Sequence, residues 1–519
     1  MSLYRNFLSV GGLTLISRIA GFIRDALMAA VLGTGPAADA FFAAFRFPNL
    51  FRRLFAEGAF NTAFVPMFSG ALEQQGRDGA LDLASRIMAW LVAMLVGVTI
   101  IAEIFMPQIM VAFVPGFVDD PEKFDLTVLL TRIMFPYLAC MSLMAAYGAI
   151  LNSLGRFFAA AFAPVLLNLV NIAAMIPLVT FWVQDPAGSA MWVGAATMAG
   201  GLAQLALVYG AIRRADFVPA LRLPRLDPEV RRFWVLAVPA ILTGGITQIN
   251  IFVGTIIASG ADNAISILNY ADRLYQLPLG IIGIAIGTVL LPELSRHLKG
   301  NRDAEARATQ DQSLLAAMLL SMPAATALIA MAEPIVRVLF ERGAFDALAT
   351  TQTAQALIAF ATGLPAYVLI RVLQPGYFAR EDTGTPTVFA GISVVVNIGL
   401  SLLLFPSLVH VGIAIATSAS AWLNAVLLAL FLARRGHFAL TRAEWLRHGL
   451  IIVISAAMGG ALYLLVQRGA AYFASGAPLW LQAGLLAVLV AFGMATYFTL
   501  VHVTGAQKLG LLLRRLRRG

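Results

Sequence analysis

Charge is what this chain has least of. Asp, Glu, Lys and Arg make up 12% of its 519 residues, against roughly 25% in ordinary soluble proteins. That is too little to cover a water-soluble globule. With 60% hydrophobic residues and a mean hydropathy of +0.84, the chain reads as an integral membrane protein. Cysteine is nearly missing as well: Cys140, inside an apolar run, is the only one, which excludes an intramolecular disulfide and cysteine-based metal clusters and leaves no redox cue. The five histidines, His297, His410, His437, His448 and His502, fall in or beside loops without metal-ligand spacing. No G-x-x-x-x-G-K-[ST] loop occurs, so an ATP-driven pump within this chain is excluded. No catalytic residue, metal or cofactor is expected. The chain reads as a transporter rather than an enzyme, driven by a gradient, the membrane potential or the substrate's own downhill flux.

What is present is an excess of base, 36 Lys+Arg against 27 Asp+Glu. In a soluble chain this suggests nucleic acid, but here the basic residues sit mostly between apolar runs, so orientation in a bilayer is the better reading and no nucleic-acid partner is expected. Runs of about 20 apolar residues long enough to cross the hydrocarbon begin near residues 9, 37, 86, 126, 158, 191, 230, 264, 313, 350, 386, 411, 446 and 479. Arg18, Arg24 and Asp25 interrupt the first run, which argues for an uncleaved span over a signal peptide. Fourteen spans put both termini on one side. Loops on that side hold 24 basic residues and the opposite loops only three, Lys123, Arg342 and Arg468. The positive-inside rule then places both termini in the cytoplasm.

A weak repeat appears at an offset of 226 residues: Val65-Pro66 with Ser69 matches Leu291-Pro292 with Ser295, and Val170-Asn171-Ile172 matches Val396-Asn397-Ile398. The expected architecture is all-α and polytopic, with about 14 transmembrane helices in two parallel-repeat six-helix halves plus two extra C-terminal helices. The N-terminal half covers 1–214, a basic cytoplasmic linker 215–232, the C-terminal half 233–435, and the last two spans with a basic tail 436–519. Parallel repeats place a substrate site between the halves.

Ionisable residues crowd the first two spans: Arg18, Arg24, Asp25, Asp39, Arg46, Arg52, Arg53 and Glu57. A central Arg or Asp costs roughly 2.5–3.5 kcal/mol to insert, so these side chains must face water or one another. Arg18 and Asp25, seven apart, share a helical face; Ser17 and Arg24 share the next, and Gly21 leaves room for close approach. On an ideal helix Asp39, Arg46, Arg53, Glu57 and Asn61 form one stripe, which Pro48 kinks. One reading is a water-filled cationic cavity for a phosphate-bearing ligand, since Arg grips phosphate in two places and stays charged. The other is a set of internal ion pairs, Arg18 with Asp25 and Arg53 with Glu57. In the second half, Asp272 and Arg273 lie in the eighth span and Arg371 with Gln374 in the tenth. Arg273 either reaches the cavity or pairs with Asp272. Asn168, Asn171, Asn397 and Asn424 read as helix-to-helix hydrogen-bonding residues.

Several stretches carry a resemblance. Ser17-Arg18 through Gly21 to Arg24-Asp25, then Asp39-Ala40-Phe41-Phe42, Phe47-Pro48-Asn49-Leu50, Arg52-Arg53 and Phe55-Ala56-Glu57-Gly58-Ala59-Phe60, with Tyr270-Ala271-Asp272-Arg273 and Pro375-Gly376-Tyr377-Phe378-Ala379-Arg380 later, resemble the MurJ (MviN) family of lipid II flippases. That family lies in the multidrug/oligosaccharidyl-lipid/polysaccharide exporter superfamily. The resemblance implies alternating-access transport of lipid II, the undecaprenyl-diphosphate disaccharide-pentapeptide used for peptidoglycan and cell shape, from the cytoplasmic to the periplasmic leaflet of the bacterial inner membrane. It implies substrate-binding roles for Arg18, Arg24, Arg52 and Arg273, around which Ser17, Arg46 and Arg53 add polar surface. Asp25, Asp39, Glu57 and Asp272 are then conformational or ion-pairing residues, because a carboxylate repels pyrophosphate. Spans thirteen and fourteen resemble the family's groove for the polyprenyl tail. A cation site in the second half has only neutral candidates, Gln248, Asn250, Asn397 and Asn424, which hold hard cations weakly. Anionic lipids are expected around the basic loops, and a monomer is expected. The alternatives are a flippase for another polyprenyl-diphosphate glycan, a drug or cation antiporter of the same superfamily, and a scaffold that only binds the lipid.

Overall fold

The computed structural model describes residues 3–52, 61–180, 185–300 and 302–507. Among them every regular element is helical. In the N-terminal part these are α1 (Leu3–Leu32), α2 (Pro36–Arg52), α3 (Asn61–Gln74), α4 (Gly76–Ile104), α5 (Met106–Phe113), α6 (Pro121–Met134), α7 (Tyr137–Ser153), α8 (Phe158–Thr180), α9 (Pro186–Arg213) and α10 (Pro228–Ser259). They continue with α11 (Ala264–Lys299), α12 (Asp303–Ala330), α13 (Ala332–Phe340), α14 (Ala347–Phe378), α15 (Gly384–Arg434), α16 (Arg442–Arg468) and α17 (Leu479–Val503). Each of the fourteen expected span starts falls inside a helix. Nine stretches among the described residues are long and apolar enough to cross a membrane, so the protein is a multi-pass membrane protein. α15 contains two expected starts. Its helix is interrupted at Val409, where φ is 47°, two residues before the expected start at 411.

The sequence starts several helices by one device. Asp120, Asp185 and Asp227 each stand before a proline, and their carboxylates accept the backbone N–H of Lys123, Gly188 and Val230. The carboxylate satisfies an orphan donor of the first turn, while proline, lacking an N–H, loses nothing there. At α16 Thr441 and Glu444 cap reciprocally, closing two donors at once.

The chain forms two compact units, one of residues 1–266 with 342–345, the other of residues 267–341 with 346–519. In the first, α8 packs on α1 and α9, α7 on α9, α2 on α6, and α10 on α3. Small residues permit the closest approaches: a Cβ on Gly201 of α9 would lie 2.4 Å from the Tyr137 ring, and one on Gly200 would lie 2.6 Å from Leu167. In the second, α14 packs on α12 and α15, and α16 on α12 and α17. Leu403, 72% exposed, and Val395, 70% exposed, illustrate an outer surface suited to lipid, in which helices satisfy their backbone internally. Repeat and packing divide the chain at different places. The repeat puts its boundary in the linker, whereas α10, beyond the linker, packs on α2, α3, α4 and α5 and so belongs to the first unit.

Candidate functional site

On α1, the Ser17 carbonyl accepts a hydrogen bond from Asn168 Nδ2 of α8 at 3.0 Å. A Cβ on Gly21 would lie 3.4 Å from that same nitrogen, so the glycine lets the amide lie close against α1. Arg24 donates to Asp25 Oδ1 through Nε at 3.1 Å and Nη2 at 2.7 Å, and both side chains are half-buried. Arg18, one face round, is exposed and makes no hydrogen bond or ion pair among the described residues. The Arg18–Asp25 pairing that the spacing left open is therefore not formed, and Arg24 pairs with Asp25.

On α2, Arg46 Nη1 donates to Thr255 Oγ1 of α10 at 3.3 Å, and Arg52 Nε donates to Asn49 Oδ1 at 2.7 Å. Of the expected charged stripe, Asp39 and Arg46 lie on the described part of α2, while Arg53 and Glu57 lie outside the described residues. Phe47 packs edge-on against Phe51 and at a tilt against Phe113 and Phe135, an aromatic cluster on the buried face of the helix.

Asp39 is fully buried. Its Oδ2 lies 3.0 Å from Lys123 Nζ on α6, and its Oδ1 accepts the N–H and the Oγ–H of Ser266, each at 2.8 Å. Lys123 also lies 3.8 Å from the exposed Asp262 and 4.0 Å over the Phe117 ring. Here the structure differs from the expectation of a loop position for Lys123. The Asp120-Pro121 start brings Lys123 into the first turn of a helix, where its stem is covered and its ammonium needs a buried acid. Charge-assisted hydrogen bonds to a carboxylate and a cation over an aromatic face supply what water would have given.

Asp272 and Arg273 lie on α11 in the other unit. Gln276 donates to Asp272, beside Tyr275, which stacks on Phe360 at 5.2 Å and lies 6.0 Å from Tyr367. Gly283 seats Arg371: a Cβ there would lie 2.5 Å from its Cδ. Asn168 and Asn171 serve helix contacts, Asn171 accepting from Thr197 Oγ1 at 2.9 Å. A separate crevice of about 510 Å³ between α3, α7 and α8 is lined, among the described residues, by uncharged side chains such as Ser69, Met144 and Asn152. Among the described residues no group of three or more His, Cys, Asp or Glu side chains is arranged to hold a metal ion.

Sequence reasoning singled out the arginines and did not foresee the contacts that Lys123 and Ser266 make with Asp39. The arginines stand out because charge interrupts an apolar run. Lys123 precedes its run and its partner is 84 residues away, so only the Asp-Pro helix start hinted that it is not a loop residue.

A sequence model of the family described as "Lipid II flippase MurJ" matches residues 28–484. A protein of Rhizobium tropici named "Probable lipid II flippase MurJ" is 49% identical over 520 residues, covering 100% of this chain and 97% of the relative. One of Burkholderia cenocepacia named "Lipid II flippase MurJ" is 38% identical over 456 residues, covering 86% of this chain and 87% of the relative. The fold is similar to that of a solved lipid II flippase MurJ in an inward closed conformation, with a TM-score of 0.79 at 24% identity over 95% of this chain and 98% of that one. It is also similar, at a TM-score of 0.66 and 16% identity over 80% of this chain and 94% of that one, to an inward-facing multidrug resistance MATE transporter of the MOP superfamily. A match spanning most of the chain, and relatives this similar along their whole length, show that the chain belongs to the MurJ family of lipid II flippases.

Proposed function

We propose that the protein moves lipid II from the cytoplasmic to the periplasmic leaflet of the bacterial inner membrane by alternating access. Its relatives are named lipid II flippases. The observation that carries the reading at residue level is Arg18, exposed on an apolar helix without an acid of its own among the described residues. A cation that costs roughly 2.5–3.5 kcal/mol to insert is retained where it meets an anion in the working cycle. With Arg24, Arg52 and Arg273 it is assigned to the pyrophosphate, and Ser17, Arg46 and Arg53 complete the polar surface. Asp25, Asp39, Glu57 and Asp272 are assigned to conformational exchange. The accompanying topology has fourteen spans and cytoplasmic termini, in two six-helix halves at 1–214 and 233–435 joined by the linker 215–232; residues 436–519 add a track for the polyprenyl tail. The protein works as a monomer among anionic lipids.

Depletion in the native host tests the substrate. The reading expects lysis with lipid II accumulating on the cytoplasmic side. Accumulation of a different polyprenyl-diphosphate glycan at normal lipid II levels would assign the protein to that glycan instead. Unchanged leaflet distribution in vesicles holding the purified protein would leave it a lipid-binding scaffold.

A further inference from the structure

Between α9 and α10 residues 217–227 run without regular structure, fastened along the first turns of α4. Arg77 Nη2 donates to the carbonyls of Ala215 and Asp216 at 2.7 and 2.6 Å. The Ala220 N–H donates to Ser85 Oγ at 2.9 Å, and Arg222 pairs with Asp82 at 2.5 Å. Trp90 Nε1 donates to the Arg225 carbonyl at 2.9 Å. Arg86 pairs with Asp227 and Glu229 at 3.0 and 2.5 Å. Phe217 is buried against Phe68. From Arg77 to Trp90 this seam follows about 20 Å of helix axis.

The fastening sorts the side chains. Asp82, Asp227 and Glu229 are used inward with Arg86 and Arg222. Left outward are Leu221, Leu223 and Leu226, exposed by 85%, 83% and 68%. Arg225, Arg231 and Arg232 are exposed beside them and have no side-chain partner among the described residues. Three leucines this exposed on a fastened segment form an apolar patch, and Arg225, Arg231 and Arg232 line its rim, while Asp82, Asp227 and Glu229 are paired with Arg86 and Arg222. Trp90, in the same seam, marks a depth that indole rings favour, the membrane–water interface.

We propose that this strap is a membrane-docking surface. Leu221, Leu223 and Leu226 enter the boundary between headgroups and acyl chains of the cytoplasmic leaflet, and Arg225, Arg231 and Arg232 hold the headgroups of anionic phospholipids. Apolar burial supplies the insertion and the arginines supply the lipid preference, as in other interfacial segments. The proposal goes beyond transport and takes from the functional reading only the orientation of the chain.

The test uses the full chain with Cys140→Ala and one nitroxide at Leu223→Cys, in vesicles of phosphatidylcholine with and without phosphatidylglycerol. The expected result is that oxygen collides with the label more often than a water-soluble nickel chelate does, and that the contrast grows with phosphatidylglycerol. Each of Arg225→Gln, Arg231→Gln and Arg232→Gln should lower the docked-to-undocked ratio about fivefold in anionic vesicles. The proposal is overturned if the chelate reaches position 223 as freely as a label at exposed Thr383→Cys. It is equally overturned if position 223 is shielded in native membranes but open in pure lipid, which would make the cover a protein. If a glutamine variant fails to insert, the phosphatidylglycerol titration with the native arginines still decides. An impermeant chelate that reaches Thr383→Cys only from the opposite side would overturn the orientation instead.

Discussion

Lys123 and Asp39 face each other at 3.0 Å with almost no solvent on either side chain. Breaking a buried pair from one side leaves the other charge uncompensated, which typically costs ~3–5 kcal/mol. Lys123→Met should therefore lower the thermal stability of the purified protein steeply, whereas Lys123→Met with Asp39→Leu should recover much of the loss. If the losses of Lys123→Met and Asp39→Leu measured singly simply add in the double variant, the pair is not coupled. Asp262 at 3.8 Å offers Lys123 a second, water-exposed acid, so the lysine can change partners without becoming unpaired. A second residue-scale prediction concerns Asp382, in the loop before α15. Hydrogen bonds from the Thr385 N–H and from Arg435 hold its carboxyl down from 3.8 to about 2. A depressed folded value means that the ionised form stabilises the loop at neutral pH and that this contribution is lost as pH falls from near 3.8 towards about 2. Asp382→Asn should unfold earlier than the parent at pH 6, with the gap closing across that window. A gap independent of pH would show that the Arg435 contact does not depend on the charge.

Helices meet through glycines where bulk would separate them, and α9 shows this most directly. A Cβ on Gly201 would lie 2.4 Å from Tyr137, whose side chain is itself buried and has nowhere to turn. Gly201→Val should thus push α9 off α7 and reduce membrane abundance, while Gly210→Val on the same helix, with open space at its Cβ, should be tolerated. Similar abundance of the two variants would remove the packing argument. The span starts were legible because apolar runs are bounded by Asp-Pro, Arg pairs and glycine, and those residues also cap the helices. The second span was harder to read: proline stands at 48, inside α2, and Arg53 and Glu57 lie outside the described residues. The seam between the linker and α4 was illegible too. Its arginines read as topological or lipid-binding charge, because pairing Arg222 with Asp82 requires knowing that two segments 140 residues apart lie side by side.

Over the whole molecule, what the sequence made readable is what a membrane imposes, apolar runs of the right length. Family motifs then located the arginines. The partners of those arginines depend on tertiary placement, and so does the assignment of α10 to the first compact unit despite the repeat. The central claim is that uncompensated arginine on α1 is kept for the pyrophosphate of the substrate and not for the architecture. The direct measurement is lipid II transfer between leaflets by Arg18→Ala and Arg18→Lys in reconstituted vesicles, with membrane abundance and thermal stability measured on the same preparations. Arg18 has no partner among the described residues, so the account predicts normal abundance and stability for both variants. It also predicts transfer abolished in Arg18→Ala and only partly restored in Arg18→Lys, which supplies charge without the planar fork. Loss of abundance in Arg18→Ala, or full transfer without the arginine, would contradict it.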